Sequence, residues 1–434
     1  MIYIADFHIH SKYSRATSKQ MDLEHLNQWA KIKGLQILGS GDFTHPLWFK
    51  ELKEKLRQKD EGIYQLNFQF SNSKQETNFI CTTEISCIYT KNDKIRRIHL
   101  LIFAPNLETV EKINQKLGEK YNLKSDGRPI FGLDAKELTK ILLEISPEIF
   151  IVPAHIWTPW YSLFGSKSGF NSVEECFEEL TSYIYTLETG LSSDPAMNWR
   201  WSYLDQYTLI SNSDAHSLEN LGREANVFDF PKEPNYFDLI RAIKTRQKFL
   251  YTIEFFPEEG KYHFDGHRLC GIRLTPEQTK KERGICPKCR RPLTVGVMYR
   301  VEELADRDKP QQPKDAPAYK SIIPLKEILA EVLETGPQSK AVTIIYNDLI
   351  KKGESEFNIL LNLSEEELKK IAQPKLVEAI LRMRYGQVIK EPGYDGVYGR
   401  IKIFPMTKDY KSKYEPSIRT SSAGEKTNRQ GVLF

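Results

Sequence analysis

Met1-Ile-Tyr-Ile-Ala-Asp-Phe-His8-Ile-His10 opens the chain as a short apolar run that ends in two histidines. In a β-strand, residues two positions apart face the same side, so both imidazoles can reach one metal ion from the end of that strand. A single His-x-His is weak evidence for a metal site. It gains weight because histidines and carboxylates also follow later strand-like runs of the chain.

The composition is ordinary for a globular protein. The chain has 434 residues, 40% hydrophobic and 28% charged, which is enough for two or three domains with a sizeable core. No apolar run is long enough to cross a bilayer, and Met1 leads directly into the first strand. We therefore expect no membrane partner, no signal peptide and a cytoplasmic location. The formal net charge of +4 permits a nucleic-acid partner without arguing for one.

Residues 1 to about 250 alternate short apolar runs with helix-like segments. The runs cover residues 2–6, 35–39, 78–82, 97–103, 149–152, 183–187 and 207–210. Strands that alternate with helices predict a parallel sheet, and at this length its commonest form is a closed (β/α) barrel. We therefore predict an α/β fold in which residues 1–255 form a seven-stranded barrel.

Histidines and carboxylates stand at the carboxyl ends of these runs, where the active sites of such barrels form. Six of the nine histidines occupy such positions. A core or surface role is the commoner reading of any one histidine, but the set favours a mixed imidazole and carboxylate centre suited to Zn²⁺, Mn²⁺ or Fe²⁺. Two such ions can activate water and stabilise the leaving oxygen of a phosphate ester. The candidate ligands are His8, His10, Asp42, His45, Glu84, His99, His155, Asp214 and His216. Glu188 also ends a run, but we interpret it as a ligand's neighbour or a solvated carboxylate.

A second metal motif lies in residues 256–308. His267 and Cys270 form one pair with two intervening residues, and Cys286 and Cys289 form another. This spacing is typical of a tetrahedral structural zinc, and three thiolates with one imidazole leave no open coordination position. His263 is an alternative fourth ligand. The other three cysteines lie in apolar surroundings and are interpreted as core residues.

The remaining chain is predicted to contain a helical domain and a tail. Prolines between residues 309 and 317 mark a linker. Helical periodicity and a capping box at Ser364-Glu-Glu-Glu367 predict a helical domain within residues 309–405, which we interpret as a DNA-interaction domain. The polar tail, residues 406–434, ends in Gln430-Gly-Val-Leu433-Phe434. Gln430, Leu433 and Phe434 resemble a short peptide by which bacterial DNA-processing proteins bind the sliding clamp, so a clamp is a predicted partner.

The barrel motifs resemble those of the polymerase and histidinol phosphatase (PHP) superfamily, whose fold is a distorted (β/α)7 barrel. The resemblance implies a first ion on His8, His10, Glu84 and Asp214, the residues expected to carry catalysis. It implies a second ion on Glu84, His99 and His155, and a third on Asp42 or His45 with His216. In this chain two residues separate Asp42 from His45, where the superfamily often has them adjacent. Two or three divalent ions, Zn, Mn or Mg, are therefore expected in the barrel, and one structural Zn in the Cys/His module.

Almost the whole chain resembles the endonuclease Q family. The resemblance rests on Gly41-Asp-Phe-Thr-His-Pro46, Asp265-Gly-His-Arg268, Val301-Glu-Glu-Leu-Ala-Asp306 and the glycine-rich segment 391–400. It implies a DNA repair endonuclease that cuts on the 5′ side of hypoxanthine, uracil, xanthine or an abasic site, leaving 3′-hydroxyl and 5′-phosphate ends. Damaged DNA would be its partner, and the protein would be associated with the nucleoid in the cytoplasm. Three alternatives remain open: a 3′ to 5′ exonuclease, a small-molecule phosphatase and a catalytically inactive damage sensor.

Overall fold

The computed structural model describes residues 1–67 and 77–405. Its strands are β1 Ile2–Asp6, β2 Ile37–Gly39, β3 Leu56–Asp60, β4 Ile63–Leu66, β5 Asn78–Lys91, β6 Lys94–Ala104, β7 Ile130–Phe131, β8 Phe150–Pro153, β9 Thr186–Glu188, β10 Thr208–Ile210, β11 Ala225–Asp229, β12 Phe249–Glu254, β13 Asp265–His267, β14 Ile272–Leu274, β15 Ala318–Ser321, β16 Ile389–Glu391 and β17 Arg400–Lys402. Its helices are α1 Leu23–Lys33, α2 Pro46–Lys55, α3 Leu107–Gly118, α4 Ala135–Ile145, α5 Val173–Phe177, α6 Pro195–Asn198, α7 Tyr236–Thr245, α8 Pro276–Lys281, α9 Val297–Leu304, α10 Leu325–Val332, α11 Lys340–Gly353, α12 Glu365–Ile371 and α13 Pro374–Arg384.

The seven predicted strands all form, and they close into a ring in the order β1, β2, β5, β6, β8, β9, β10. Ladders join β1 to β2, β2 to β5, β5 to β6, β6 to β8 and β9 to β10. Between β8 and β9, the Ile156 N–H donates to the Glu188 carbonyl over 3.0 Å. A single parallel bridge between Ile9 and Ala215 connects β10 to β1. The fold is therefore the predicted α/β class with a distorted seven-stranded barrel.

The expectation of an all-parallel barrel was wrong for the third and fourth strands. β5 and β6 form one long antiparallel hairpin, and β8 is also antiparallel to β6. The cause is the two-residue turn at Asn92 and Asp93, whose φ values are 52° and 56°. This left-handed backbone matches the twist of a tight hairpin and suits Asn and Asp better than most residues. His99 consequently lies in the middle of a strand rather than at a strand end.

The sheet extends beyond the barrel on both sides. β11, β12 and β15 continue it from β1, and β4 with β3 continues it from β5. The barrel core lies where the aromatic ring of Phe7 contacts Phe103 and Phe228, with centroid distances of 5.4 and 6.3 Å. None of the helices in the described part of the chain is both long and apolar enough to span a membrane.

The C-terminal regions follow the predicted order. The β13–β14 hairpin and the segment between α8 and α9 carry the Cys/His motif. The helices α10 to α13 form the helical part, in which Ser364 and Glu367 make the expected capping box. β15, however, follows the predicted linker and pairs with β12, so the barrel's sheet crosses the boundary drawn at residue 309. Met1–Ile403 forms one compact unit. The tail and its candidate clamp-binding residues, Gln430, Leu433 and Phe434, lie outside the described residues.

Candidate metal centre

The first predicted ligand group is brought together at one mouth of the barrel. Ligand atoms of His8, His10, Glu84 and Asp214 all lie within 4.8 Å of one another. The His10 Nε2 atom is 3.0 Å from Asp214 Oδ1 and 3.3 Å from Glu84 Oε2. The His8 Nε2 atom is 3.5 Å from the same Glu84 oxygen. The imidazoles of His8 and His10 thus face the same two carboxylates, as expected for residues two positions apart in a strand.

The second predicted group shares Glu84 with the first. Its other oxygen, Oε1, lies 2.5 Å from His99 Nδ1 and 3.1 Å from His155 Nε2. The ligand atoms of the three residues again lie within 4.8 Å of one another. Glu84 therefore presents one carboxylate oxygen to each group, which is the arrangement that two neighbouring metal ions require.

The chemistry of His8 tests whether a metal ion fits. Its Nδ1 atom lies 3.0 Å from a Glu188 oxygen, so this nitrogen carries the proton of a neutral ring. Its Nε2 atom is fully buried, has no hydrogen-bond partner among the described residues and points toward Glu84 and Asp214. A buried lone pair facing two carboxylates is costly unless it binds a cation. The nitrogen and oxygen donor set therefore fits a divalent metal ion.

Two carboxylates orient the histidine ligands by binding the imidazole nitrogen that faces away from the centre. Asp42 lies 3.0 Å from the His10 Nδ1 atom, and its other oxygen accepts hydrogen bonds from Ser11 and Ser14. Glu188, which sequence reasoning left out, binds His8 and also accepts the backbone N–H of His155 over 2.8 Å. Its position at the end of a predicted strand was the available signal.

The predicted third group of Asp42, His45 and His216 is not assembled among the described residues. Both oxygens of Asp42 are used by His10 and the two serines. The His45 ring stacks on Tyr13 at a centroid distance of 4.5 Å, and the His216 Nδ1 atom lies 2.9 Å from the Asp214 carbonyl oxygen. The separation of Asp42 from His45 by two residues places His45 at the N-cap position of α2 instead of beside Asp42.

Three predicted site residues have strained backbones. Asp42, His155 and Asp214 have φ values of 47°, 29° and 47°, in the left-handed region that non-glycine residues rarely adopt. Each such residue costs about 1–3 kcal/mol and persists where the surroundings impose it. Three of the left-handed residues in the described part of the chain thus lie together at one barrel mouth.

Charges in the centre are strongly coupled. Burial alone would lower the pKa of His8, but the carboxylates of Glu188 and Glu84 raise it well above the ordinary value. Burial would raise the pKa of Glu84, but His99 and Arg128 beside it hold it well below the ordinary value. Glu84 is therefore ionised, and the extra protons on His8 and His10, whose pKa values are both raised, must leave when a metal ion binds. Arg128, another residue that sequence reasoning missed, places its Nη1 atom 3.1 Å from Glu84 Oε2.

The Cys/His motif is assembled as one compact group. Ligand atoms of His267, Cys270, Cys286 and Cys289 lie within 4.8 Å of one another. His263, the alternative ligand, lies outside this group. Although burial raises the pKa of the Cys286 thiol, backbone N–H groups of Cys289 and Lys288 lower it to about 6. Three thiols with one imidazole fit a structural zinc ion.

Sequence comparisons match part or most of the chain to known proteins. Residues 324–387 match the family model described as the MJ0043 C-terminal domain. The uncharacterized protein MJ0043 of Methanocaldococcus jannaschii is 35% identical over 260 residues, which are 58% of this chain and 32% of that protein. The chain thus spans about a third of the length of that relative. Protein YqxK of Bacillus subtilis is 29% identical over 417 residues, which are 92% of this chain and 98% of YqxK.

Two solved structures are similar over nearly the whole chain. The first is PfuEndoQ of Pyrococcus furiosus, described as a lesion-specific endonuclease; it has 32% identity and a TM-score of 0.82, covering 96% of this chain and all of that chain. The second is an endonuclease Q bound to a 27-mer duplex with an abasic lesion at its active site. It has 34% identity and a TM-score of 0.80, covering 93% of this chain and 97% of that chain.

Proposed function

The chain belongs to the endonuclease Q family, and from this membership we propose that it is a metal-dependent DNA repair endonuclease. In this proposal it hydrolyses the phosphodiester on the 5′ side of a deaminated or abasic nucleotide and leaves 3′-hydroxyl and 5′-phosphate ends. The observation that carries the proposal is the pair of ligand groups that share Glu84. It stands in a chain similar to a family member whose active site holds an abasic lesion.

Different residues of the chain would hold the two metal ions. His8, His10, Glu84 and Asp214 would hold one divalent ion, and Glu84, His99 and His155 a second. Such ions, when bound, supply an activated water and neutralise charge on the phosphate and the leaving oxygen. Asp42 and Glu188 keep the proton of His10 and His8 on the nitrogen that faces away from the centre. The buried walls of the centre exclude bulk water, which strengthens every charge interaction within it.

Lesion selectivity would begin with the DNA. A deaminated or missing base pairs weakly, so extruding that nucleotide from the duplex costs less free energy than extruding a normal one. A recessed metal centre then cuts only a backbone that has been drawn into it. A complete set of ligands supports catalysis over a purely DNA-binding role, and neither an exonuclease nor a phosphatase has an observation in its favour.

End-labelled duplexes test the proposal. One would be undamaged, and the others would carry a single deoxyinosine, deoxyuridine or abasic site, with Mg²⁺ or Mn²⁺ present. We expect one cut immediately 5′ of the lesion that is absent from the undamaged duplex and in chelator. Shortening from the 3′ end would instead identify an exonuclease, and uncut lesions with every metal would refute the proposal.

Matched variants make the test specific to the centre. Asp214→Asn should abolish cutting while the protein still binds lesion DNA in a fluorescence anisotropy assay. Asp348→Asn, on the exposed side of α11, removes a carboxylate that pairs with Lys352 and should cut at the wild-type rate. The sliding clamp stays a predicted partner, to be tested by clamp binding before and after deletion of residues 430–434.

A further inference from the structure

Residues 125–129, Ser-Asp-Gly-Arg-Pro, are held rigidly against the metal centre. Asp126 Oδ1 accepts the backbone N–H groups of Arg15 and Arg128 over 3.1 and 3.2 Å. The Gly127 N–H donates to the Tyr13 carbonyl over 3.1 Å. Gly127 itself lies so close to the centre that a β-carbon there would be 2.2 Å from Asp42 Oδ2. This segment therefore has little freedom to move.

The segment places the Arg128 side chain over the shared carboxylate. Its Nη1 atom donates to Glu84 Oε2 over 3.1 Å, and in the described part of the chain its side chain has no other hydrogen-bond acceptor. A guanidinium has five N–H groups, so most of its donors remain for another ligand. Because a planar guanidinium can bind two oxygens in parallel, it suits a phosphate better than a point charge does.

Arg128 also stands at the opening of the centre. The side chains of His8, His10 and Glu84 are 0% exposed. Those of Arg128 and Asp214 are 20% and 24% exposed. A group that enters from solvent therefore meets Arg128 and Asp214 before it reaches His8, His10 or Glu84.

The charges around the candidate metal centre indicate that the entering group is an anion. Asp42, Glu84, Glu188 and Asp214 carry four negative charges, which two divalent ions would cancel. Arg128 then adds a positive charge beside two cations, which Asp126 balances in part, and an anion bound there would be stabilised. A phosphodiester supplies one negative charge on two non-bridging oxygens.

We propose that Arg128 binds a non-bridging oxygen of the phosphodiester that is cut. This inference rests on the proposed function and assigns a substrate contact to a residue outside both ligand groups. Only a backbone drawn into the centre reaches Arg128, so the contact is made with an extruded nucleotide and not with an undamaged duplex lying on the surface. Arg128 therefore contributes to the rate and to the preference for lesion DNA.

Three variants test the inference: Arg128→Met, Arg128→Lys and, as control, Arg15→Met. Arg15 binds the same Asp126, but its side chain is 74% exposed. With enzyme in excess over an abasic duplex, we expect Arg128→Met to cut about a hundredfold more slowly, the usual loss for one donor to a transition-state oxygen. Arg128→Lys should recover part of the rate, and Arg15→Met should stay within about threefold of the wild type.

Two further measurements separate substrate contact from a structural role. Anisotropy with Ca²⁺ in place of the catalytic metal should show weaker binding of Arg128→Met to the abasic duplex and unchanged binding to the undamaged one. Bound metal, measured by elemental analysis, should equal that of the wild type. A wild-type rate in Arg128→Met, or a loss that follows lost metal, would overturn the inference. If the wild type itself cuts no lesion duplex, the proposed function is wrong and the inference falls with it.

Discussion

Glu188 shows how much the candidate metal centre depends on residues outside its two ligand groups. It is fully buried, and its oxygens bind the ring of His8, the backbone of His155 and the amide of Asn212. Through these contacts it sets which nitrogen of His8 faces the centre and where the loop with His155 begins. Carboxylates behind histidine ligands commonly act in this way.

Removal of Glu188 should therefore weaken metal binding. We expect Glu188→Ala to lower the affinity of the first ion by about 10–100-fold, since such outer partners typically contribute that much. Glu188→Gln keeps an acceptor for His8 and should recover most of the affinity. Calorimetric Mn²⁺ titration of the metal-free protein measures both. Equal affinity in wild type and Glu188→Ala would show that Glu188 does not orient His8.

The residue scale also shows what the sequence could predict. His8, His10, Glu84, His99, His155 and Asp214 were identified because residue type, spacing and strand position all indicated metal binding. Glu188 and Arg128 were missed because a carboxylate at a strand end, or an arginine in a loop, has the same appearance whether it faces the centre or solvent. Only the packing of distant segments decides between these outcomes.

Among the elements, the β5–β6 hairpin departs most from expectation. The predicted runs 78–82 and 97–103 lie within β5 and β6, but β5 continues to Lys91 and the turn at Asn92 and Asp93 was not predicted. A two-residue turn of this kind makes adjacent strands antiparallel, and no helix can fit between them. Recognition of the turn would have predicted that Glu84 and His99 lie on neighbouring strands, as they do.

The close packing of Gly127 in the segment 125–129 leads to a prediction about stability. A β-carbon at Gly127 would also lie 2.4 Å from Ser14 Oγ, whereas one at Gly132 would meet nothing within 4 Å. We expect Gly127→Ala to lower the free energy of unfolding by about 1–3 kcal/mol through overpacking. Gly132→Ala should change it by less than about 0.5 kcal/mol. Urea unfolding followed by tryptophan fluorescence compares them, and equal midpoints would contradict the close approach.

Strand β12 ends in a buried acid that should make stability depend on pH. Burial, helped by nearby Asp194, raises the pKa of Glu254 from 4.5 to about 8. Between these values the folded protein holds a proton that the unfolded chain releases. Its contribution to stability is therefore complete below about pH 4.5 and is lost as pH rises toward 8, by at most about 1.4 kcal/mol per pH unit.

The measurement is the melting temperature between pH 6 and pH 9. Wild-type protein should lose stability across this range, and Glu254→Gln should lose less because a neutral amide cannot ionise. The amide can still bond to the hydroxyls of Thr252 and Ser211, which lie 2.5 and 3.1 Å from the carboxylate. Parallel curves for the two proteins would assign the pH dependence to other groups.

At the scale of the whole molecule, a buried ion pair joins the barrel to the helical region. Lys33, the last residue of α1, lies 2.8 Å from Glu356, and the two side chains are only 7% and 4% exposed. Glu356 also accepts the Tyr346 hydroxyl over 2.7 Å and the Leu325 N–H over 3.0 Å. The contact spans more than 300 positions of sequence, so periodicity and motifs give no sign of it.

Breaking this pair should be costly. Lys33→Met leaves a buried carboxylate without its cation, and we expect it to lower the free energy of unfolding by about 3–5 kcal/mol. Lys33→Met with Glu356→Gln should lose less, because no charge is stranded. Lys352→Met breaks an exposed pair with Asp348 and should cost less than about 0.5 kcal/mol. Urea unfolding measures these free energies. Similar losses of stability in Lys33→Met and Lys352→Met would contradict a stabilising role for the buried Lys33–Glu356 pair.

The ring closure at Ile9 and Ala215 has a consequence for motion. One bridge joins the first and last barrel strands there, and the candidate ligands His10 and Asp214, 204 positions apart, stand on its two sides. A metal ion bound by both His10 and Asp214 would stabilise the contact between these two strands. Chelation should therefore speed hydrogen–deuterium exchange of the His10 amide, which bonds to Ala215, far more than that of amides in the β5–β6 ladder. In that case, the ions proposed to cut DNA would also stabilise closure of the barrel.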